Sequence, residues 1–259
     1  NPWVGGGGAV RVYEIYRRLS QKGHFITVVS GKYPGVQDYR INKNFEYRFL
    51  GNPKNYVFST FSYAFEAIRF LKENVKDYDV IIEDFAPWNP LFIYKFQKEK
   101  PIVLQIQNYI GKEILKKYNL AGIPFYILEK KYPKKFENII VVSEVLNKRW
   151  GINGKVIPNG IERFEKDTKI GSYMTFLGRL DINQKGIDIL LRSLEGLNNI
   201  ELWVAGDGKD KNKFLKIIKD VPNIKYLGKV IGKQKYDFIK NSKFIVMPSR
   251  YEGQGIVAL

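Results

Sequence analysis

Two long cationic side chains bracket a short segment whose surroundings would suit a phosphate group. The segment is GRLDINQKG at 178–186, with Arg179 near one end and Lys185 near the other. It follows the apolar run YMTF (173–176), which is of strand type, and it precedes a stretch whose apolar residues recur at helical spacing. Backbone N–H groups at a helix N-terminus favour an anion, so two cations beside them suggest a diphosphate site. A solvated loop in a lysine-rich chain is the alternative that this segment alone leaves open.

Glycine-rich turns precede two further helical stretches. GGGG (5–8) leads into an amphipathic helix, where glycines leave the backbone amides unobstructed; a flexible loop is the alternative. PSRYEGQGIVAL (248–259) follows an apolar strand, and its Glu252 supplies an acceptor for hydroxyl groups beside two glycines. Residues 253–258 match the dinucleotide pattern Gly-x-Gly-x-x-Ala, but no acidic residue about 20 positions on is present, so a nicotinamide site is disfavoured.

Composition narrows the chemistry that the chain can carry. The 259 residues contain no cysteine and one histidine, which excludes disulfides, thiolate metal sites and a cysteine nucleophile. His24 lies at a helix-to-strand turn and Asp77 and Asp79 precede a strand, so we interpret all three as structural. The net charge of +17 indicates an anionic partner, whether nucleic acid, an anionic membrane surface or a phosphorylated substrate.

Short apolar strands alternate with amphipathic helices along the whole chain, the first helix closing at Gly23. The predicted strands are 25–30, 45–50, 79–84, 101–107 and 138–143, then a second series at 155–158, 173–178, 200–206, 223–228 and 243–249. Repeated strand–helix–strand units predict an α/β fold with two doubly wound, Rossmann-like parallel sheets facing across a cleft. We place the domains at 1–155 and 156–259.

The order and spacing of five segments resemble one protein family closely. They are GGGG…RRLSQKGHFITVVS, VIPNGI (156–161), FLGRLDINQKGIDILLRSL, VAGDGKDKNKF (204–214) and VMPSRYEGQGIVAL. Together they resemble the retaining glycosyltransferases of the fourth sequence family (glycosyl transferases group 1), which have the GT-B fold. The resemblance implies an acceptor-side domain first and a nucleotide-sugar donor domain second.

The resemblance also implies roles for individual residues. Arg179 and Lys185 match the family's cation pair on the donor diphosphate, and Glu252 matches the first glutamate of a Glu-x7-Glu motif that holds the donor sugar. The remaining implied contacts are Gly6 and Gly7 near the diphosphate and acceptor, Val230 at the nucleobase, and the backbone amides of Gly255 and Ile256 at the sugar and phosphate.

Three departures from the family pattern affect the expected activity. Gln107 stands where the family often has histidine, and an amide can hydrogen-bond a sugar but cannot titrate. Gln254 replaces an aromatic residue between two glycines. The second glutamate would come one residue beyond Leu259, and the first strand and the last helices of the fold also lack counterparts. We therefore expect a chain truncated at both ends that binds donor weakly.

The expected reaction is transfer of a hexose from a UDP- or GDP-sugar to an acceptor hydroxyl, with retention and without a metal or cofactor. Asp84, at the end of a strand, is a further carboxylate expected near the cleft. Residues 112–136 interleave lysines with large apolar residues, which predicts contact with an anionic membrane surface and a lipid-linked acceptor, at the cytoplasmic side of the inner membrane. A core-facing stripe with a solvated lysine face is the alternative. Rival functions are a basic nucleic-acid-binding protein and a same-fold sugar-nucleotide epimerase, although no nucleic-acid partner is expected.

Overall fold

The computed structural model describes residues 7–161, 171–197 and 199–259, except for the side chains of Tyr56 and Lys117. The chain divides into two compact units, residues 2–159 and 160–259. The sequence placed this division at 155/156. Each unit has its own sheet and its own hydrophobic core.

The first unit combines five α-helices and seven strands among its described residues. The helices are α1 (Gly7–Gln21), α2 (Tyr56–Asn74), α3 (Glu113–Tyr118), α4 (Ile123–Lys131) and α5 (Glu144–Trp150). The strands are β1 (Ile26–Gly31), β2 (Tyr39–Asn42), β3 (Phe45–Leu50), β4 (Ile81–Asp84), β5 (Ile102–Ile106), β6 (Asn138–Val141) and β7 (Lys155–Val156). Short 3-10 helices lie at Val75–Asp77, Ile93–Phe96, Asn119–Gly122 and Pro133–Lys135.

These strands form two sheets. One has the order β1-β3-β2, with β1 and β3 parallel and β2 antiparallel to β3; the other is fully parallel, with the order β4-β5-β6-β7. The sequence placed the strand 155–158 in the second series, and this was wrong, because β7 hydrogen-bonds to β6 with Val156 opposite Val141. The sequence did not predict β2, whose side chains are largely exposed.

Local sequence explains where the first two helices begin and end. Gly23 closes the turn after α1 with a φ of +97°, a conformation that favours glycine, and this confirms the predicted C-terminal cap. Asn55 caps α2, since its side-chain oxygen accepts from the backbone N–H of Phe58 at 2.9 Å. The core of the unit lies around β5, where Leu104 and Ile106 are fully buried. Each such side chain contributes about 1.5–3 kcal/mol through burial.

The second unit is a parallel sheet of order β10-β9-β8-β11 with helices between its strands. Its elements are β8 (Tyr173–Leu177), α6 (Ile182–Lys185), α7 (Ile187–Ser193), β9 (Leu202–Ala205), α8 (Lys211–Ile218), β10 (Ile224–Tyr226), α9 (Gly232–Lys240) and β11 (Ser242–Ile245). The strand order reverses direction beside β8, as the doubly wound prediction requires. Instead of the expected α-helix starting at Gly255, the structure has a 3-10 turn at Ile256–Ala258.

Candidate active site

The segment between β8 and α7 is a short helix rather than an open loop. Asp181 begins it, because its side chain accepts from the backbone N–H of Gln184 at 3.1 Å. Gly186 ends it at a φ of +63°, and a β-carbon there would lie only 2.0 Å from the carbonyl oxygen of Pro248. Only glycine fits this position, so the chain can turn from α6 into α7 against the segment that follows β11.

Arg179 and Lys185 both lie near the end of β8. Arg179 is exposed, and its Nη2 donates to Oε1 of the buried Gln184 at 3.3 Å. The Lys185 side chain folds back toward the end of β8, since its Cε would be 3.9 Å from a β-carbon placed on Gly178. The structure therefore brings both cations to the carboxyl end of β8.

Glu252 meets Lys185, although 67 positions separate them in the sequence. Lys185 Nζ donates to Glu252 Oε1, and Ser249 Oγ donates to the same oxygen at 3.0 Å. The two charged side chains are only 17% and 26% exposed, so solvent screens this ion pair less than a surface pair. The lysine predicted to bind phosphate and the glutamate predicted to bind sugar hydroxyls thus share one hydrogen bond.

Arg250 holds the segment that carries Glu252 in place, a role that the sequence did not predict. Its guanidinium donates to both carboxylate oxygens of Asp188, at 2.8 and 2.6 Å, and to the carbonyl oxygen of Asn183 at 2.8 Å. Planar two-point pairing of this kind adds geometric specificity, and a pair that is one-third exposed contributes roughly 1 kcal/mol. No spacing rule joins Arg250 to Asp188, so the partner could not be found from the sequence.

The other family-implied residues of the second unit lie in packed surroundings. Val230 packs beside a cluster of Tyr173, Ala205 and Phe238. A β-carbon on Gly255 would lie 2.4 Å from Cε of Met247, and Ile256 begins the last 3-10 turn. Their contacts with a nucleotide sugar stay predictions.

A second polar cluster forms in the first unit, at the carboxyl ends of β4 and β5. Gln107 Nε2 donates to the two carboxylate oxygens of Asp84, at 2.8 and 2.7 Å. Parallel pairing sets Asp84 opposite Gln105, and side chains two residues apart on a strand share a face, so Gln107 also reaches Asp84. A β-carbon on Gly8 would lie 3.1 Å from Gln107 Oε1, which places the glycine-rich start of α1 against this amide.

Of the predicted glycine pair, Gly7 is the first residue of α1, and Gly6 lies outside the described residues. Arg11, one turn further along α1, is only 5% exposed and was not predicted to matter. Its Nη1 donates to Asn159 Oδ1 at 2.9 Å and its Nη2 to the carbonyl oxygen of Ile157 at 2.8 Å. Burial lowers the pKa of the Arg11 guanidinium, and nearby Asp84 opposes that shift. An arginine on the apolar stripe of α1 was the signal available in the sequence.

Two buried glutamates support the loops of the first unit. Glu83 accepts from the Tyr132 hydroxyl at 2.7 Å and from the backbone N–H of Leu91 at 3.1 Å; burial nevertheless raises its pKa to about 7. Glu129 accepts from the backbone N–H groups of Ile110 and Gly111, both at 2.7 Å. Burial also raises the pKa of Glu129, and these two hydrogen bonds oppose the shift.

The segment 112–136 presents cations and apolar side chains together to solvent. Leu120 is 81% exposed, and Ile123 and Ile127 are more than two-fifths exposed. The exposed lysines of the segment are Lys112, Lys116, Lys130, Lys131, Lys134 and Lys135.

No helix within residues 7–161, 171–197 and 199–259 is long and apolar enough to cross a bilayer. In the same ranges no group of three or more potential ligand side chains is arranged to hold a metal ion.

Two models of known protein families together match almost the whole chain. Residues 5–163 match the model described as Glycosyltransferase Family 4, and residues 171–259 match Glycosyl transferases group 1. Granule-bound starch synthase 1 of Pisum sativum is 38% identical over 92 residues, which are 32% of this chain and 15% of that protein. An uncharacterized glycosyltransferase of Methanocaldococcus jannaschii is 31% identical over 133 residues, or 48% of this chain and 36% of that protein. The chain thus matches well under half the length of either curated relative.

Solved structures share the fold at low sequence identity. Sucrose-phosphate synthase from Thermosynechococcus elongatus has a TM-score of 0.78 at 16% identity, covering 99% of this chain and 75% of that one. The catalytic domain of starch synthase IV from Arabidopsis thaliana, bound to ADP and acarbose, has a TM-score of 0.63 at 12% identity, covering 98% and 77%. At these identities the likeness concerns the fold, which is the GT-B type.

Proposed function

The chain belongs to glycosyltransferase family 4, and we propose that the whole protein transfers a hexose from a nucleotide-sugar donor to an acceptor hydroxyl with retention of configuration. The observation that carries this proposal is the Lys185–Glu252 pair beside Arg179 at the carboxyl end of β8. Open α/β sheets bind ligands at the carboxyl ends of their strands, where the order reverses. The ADP bound to the starch synthase IV structure makes a nucleoside diphosphate the natural donor group to test here.

In the proposed reaction the bond between the sugar's anomeric carbon and the diphosphate oxygen breaks, and a bond to the acceptor oxygen forms. Arg179 and Lys185 would stabilise the charge that grows on the leaving diphosphate, which is work that other enzymes assign to a metal ion. Glu252 would accept hydrogen bonds from hydroxyls of the donor sugar. Gln107 cannot take the acceptor's proton, so that proton would pass to the departing diphosphate oxygen.

A panel of UDP-, GDP- and ADP-sugars, read out by calorimetric binding and by release of free nucleoside diphosphate, tests the donor assignment. Arg179→Ala removes one charged hydrogen bond, so we expect donor affinity to fall about tenfold to a hundredfold. Arg192→Ala is the matched control, because Arg192 is an exposed arginine on α7 of the same unit. Equal affinity in the wild type and the Arg179 variant would refute the assignment. Binding of oligonucleotides in place of every sugar nucleotide would refute the function.

We further propose that the acceptor is lipid-linked and that residues 112–136 rest on the anionic headgroups of the cytoplasmic leaflet. Exposed apolar side chains flanked by lysines support this, because each lysine near such a surface contributes about 1 kcal/mol. The test is co-sedimentation with vesicles of phosphatidylglycerol against vesicles of phosphatidylcholine. Replacing Lys130, Lys131 and Lys134 by glutamine should weaken binding to the anionic vesicles about a hundredfold. Replacing the exposed Lys213, Lys216 and Lys219 near α8 should not, although it removes the same charge.

A further inference from the structure

The loop that begins with Gln107 is held in place by a carboxylate from a different helix. Residues 107–112 connect β5 to the start of α3. Midway along this loop, the backbone N–H groups of Ile110 and Gly111 both point at Glu129 of α4, with one bond of 2.7 Å to each carboxylate oxygen. Glu129 is 1% exposed, so water does not compete for these hydrogen bonds.

The backbone conformation of this loop is restricted by further contacts besides the hydrogen bonds to Glu129. Gly111 has a φ of +62°, and a β-carbon there would lie 2.7 Å from the ring of Tyr109. The Tyr109 ring in turn packs edge-to-face on Trp150, with 5.2 Å between ring centroids. The Gln107–Asp84 hydrogen bonds therefore hold the start of this loop, and the Tyr109 ring contact with the two hydrogen bonds to Glu129 holds the rest.

The helix that carries Glu129 is itself closely packed against α3. A β-carbon on Gly122, at the start of α4, would lie 2.8 Å from the carbonyl oxygen of Ile114. This contact sets the distance between α4 and α3, and so the reach of the Glu129 carboxylate toward the loop. A side chain buried at this depth with both oxygens bound to backbone donors has one geometry available to it.

We propose that Glu129 is a positioning residue, which sets the Gln107 amide and the adjoining loop for sugar transfer to the acceptor without touching donor or acceptor. The proposal rests on the glycosyltransferase function proposed above and extends it to a residue outside the reacting groups. Because transfer requires the acceptor and the anomeric carbon to be aligned, a shift of about 1 Å in this loop costs up to a hundredfold in rate. Water attacking the donor needs no such alignment by the acceptor loop.

Glu129→Gln is the decisive variant, since it keeps the size of the side chain and turns one acceptor into a donor facing a backbone N–H. We expect the rate of transfer to acceptor to fall tenfold to a hundredfold, while donor affinity and donor hydrolysis stay within twofold of the wild type. Glu129→Asp keeps the charge but retracts it by one methylene, and should lose less. Amide hydrogen exchange of residues 107–112 should rise in both variants, and the Asp variant decides the matter if the Gln variant does not fold.

Asn147→Ala is the control for a purely structural effect. Asn147 also makes two buried hydrogen bonds to a loop backbone in the first unit, with the N–H and carbonyl of Gly154, both at 2.9 Å. Gly154 packs on Ile139 near the amino end of β6, at the sheet edge opposite Gln107. The control should therefore lose stability but keep the wild-type ratio of transfer to hydrolysis. An unchanged ratio in the Glu129 variants, or an equal fall in the control, would overturn the inference. A wild-type protein that binds no nucleotide sugar would instead overturn the proposed function, and the role of Glu129 with it.

Discussion

The buried carboxyl of Glu83 makes the stability of the first unit depend on pH near neutrality. The side chain lies on β4, is 4% exposed and has a pKa of about 7, against 4.5 when unperturbed. Desolvation by burial is the main cause, and the hydrogen bonds from Tyr132 and Leu91 only partly offset it. The ionised form is thus costly in the folded state.

The direction in which stability changes with pH follows from the number of protons that the folded and unfolded states bind. Between pH 4.5 and 7 the folded protein holds a proton on Glu83 that the unfolded chain releases, so the free energy of unfolding falls as the pH rises. The stabilisation is complete below pH 4.5 and lost above about pH 7. A shift of this size corresponds to about 3 kcal/mol.

Glu83→Gln should remove this dependence. The new side chain is neutral at every pH, and its oxygen still accepts from the N–H of Leu91. Its amide nitrogen donates to the Tyr132 oxygen, which already accepts from the N–H of Phe92 at 2.7 Å. The Tyr132 proton then lacks an acceptor, at a cost of about 1 kcal/mol. At pH 8 the variant should be more stable than the wild type by about 2 kcal/mol, and at pH 5 the two should agree within about 1 kcal/mol.

Hydrogen exchange of the β4 and β5 amides, measured from pH 5 to pH 8, reports the stability of the first unit separately from the second. Carboxyl ¹³C NMR gives the pKa of Glu83 directly. Glu129→Gln is the contrasting variant: both Glu129 oxygens accept from backbone N–H groups, so the amide destabilises the protein even at pH 8. A Glu83 carboxyl that titrates near pH 4.5, or a Glu83→Gln variant with the wild-type pH slope, would show this reasoning to be wrong.

Three further predictions concern stability, donor binding and metal dependence. Gly186→Ala should lower the free energy of unfolding by several kcal/mol, since its β-carbon would lie 2.0 Å from the Pro248 carbonyl oxygen. Gly23→Ala is the control, because Gly23 also has a positive φ but has nothing within 4 Å of a β-carbon, and it should lose about 1 kcal/mol. Thermal unfolding of both variants measures the difference. Arg250→Lys should weaken donor binding severalfold in calorimetry, because lysine cannot pair with both oxygens of Asp188; an unchanged affinity would mean that this pair does not hold the Glu252 segment in place. EDTA should leave the rate of transfer unchanged if the cations alone stabilise the leaving diphosphate, and a loss restored by added Mg²⁺ would contradict that assignment.

Apolar runs were enough to locate most strands, because a strand buried on both faces is apolar throughout. Each such run in the sequence overlaps a strand of the structure. The exception is β2, because its sequence YRIN alternates apolar and polar residues, is largely exposed and contains no continuous apolar run. The domain of β7 was misassigned for a related reason: a two-residue strand carries no information about its partner, and only hydrogen bonding to β6 places it in the first unit. Periodicity predicts whether a segment is a helix or a strand, but it does not identify the strand with which it pairs.

The net charge of the proposed donor site could not be predicted from the sequence motifs. Arg179 and Lys185 were predicted as two cations for a diphosphate, and Glu252 as a separate partner for the sugar. In the structure Lys185 is already bound to Glu252, so the three side chains carry a net charge of only +1. A diphosphate that approaches Lys185 competes with a largely buried carboxylate, which costs part of the Coulombic attraction that two free cations would supply. Sugar hydroxyls that hydrogen-bond Glu252 would weaken its hold on Lys185, so recognition of the sugar and of the diphosphate would reinforce each other across a single ion pair. Removing Glu252 should therefore strengthen binding of the free nucleoside diphosphate while weakening binding of the nucleotide sugar, and calorimetry with both ligands distinguishes this coupling from two independent sites.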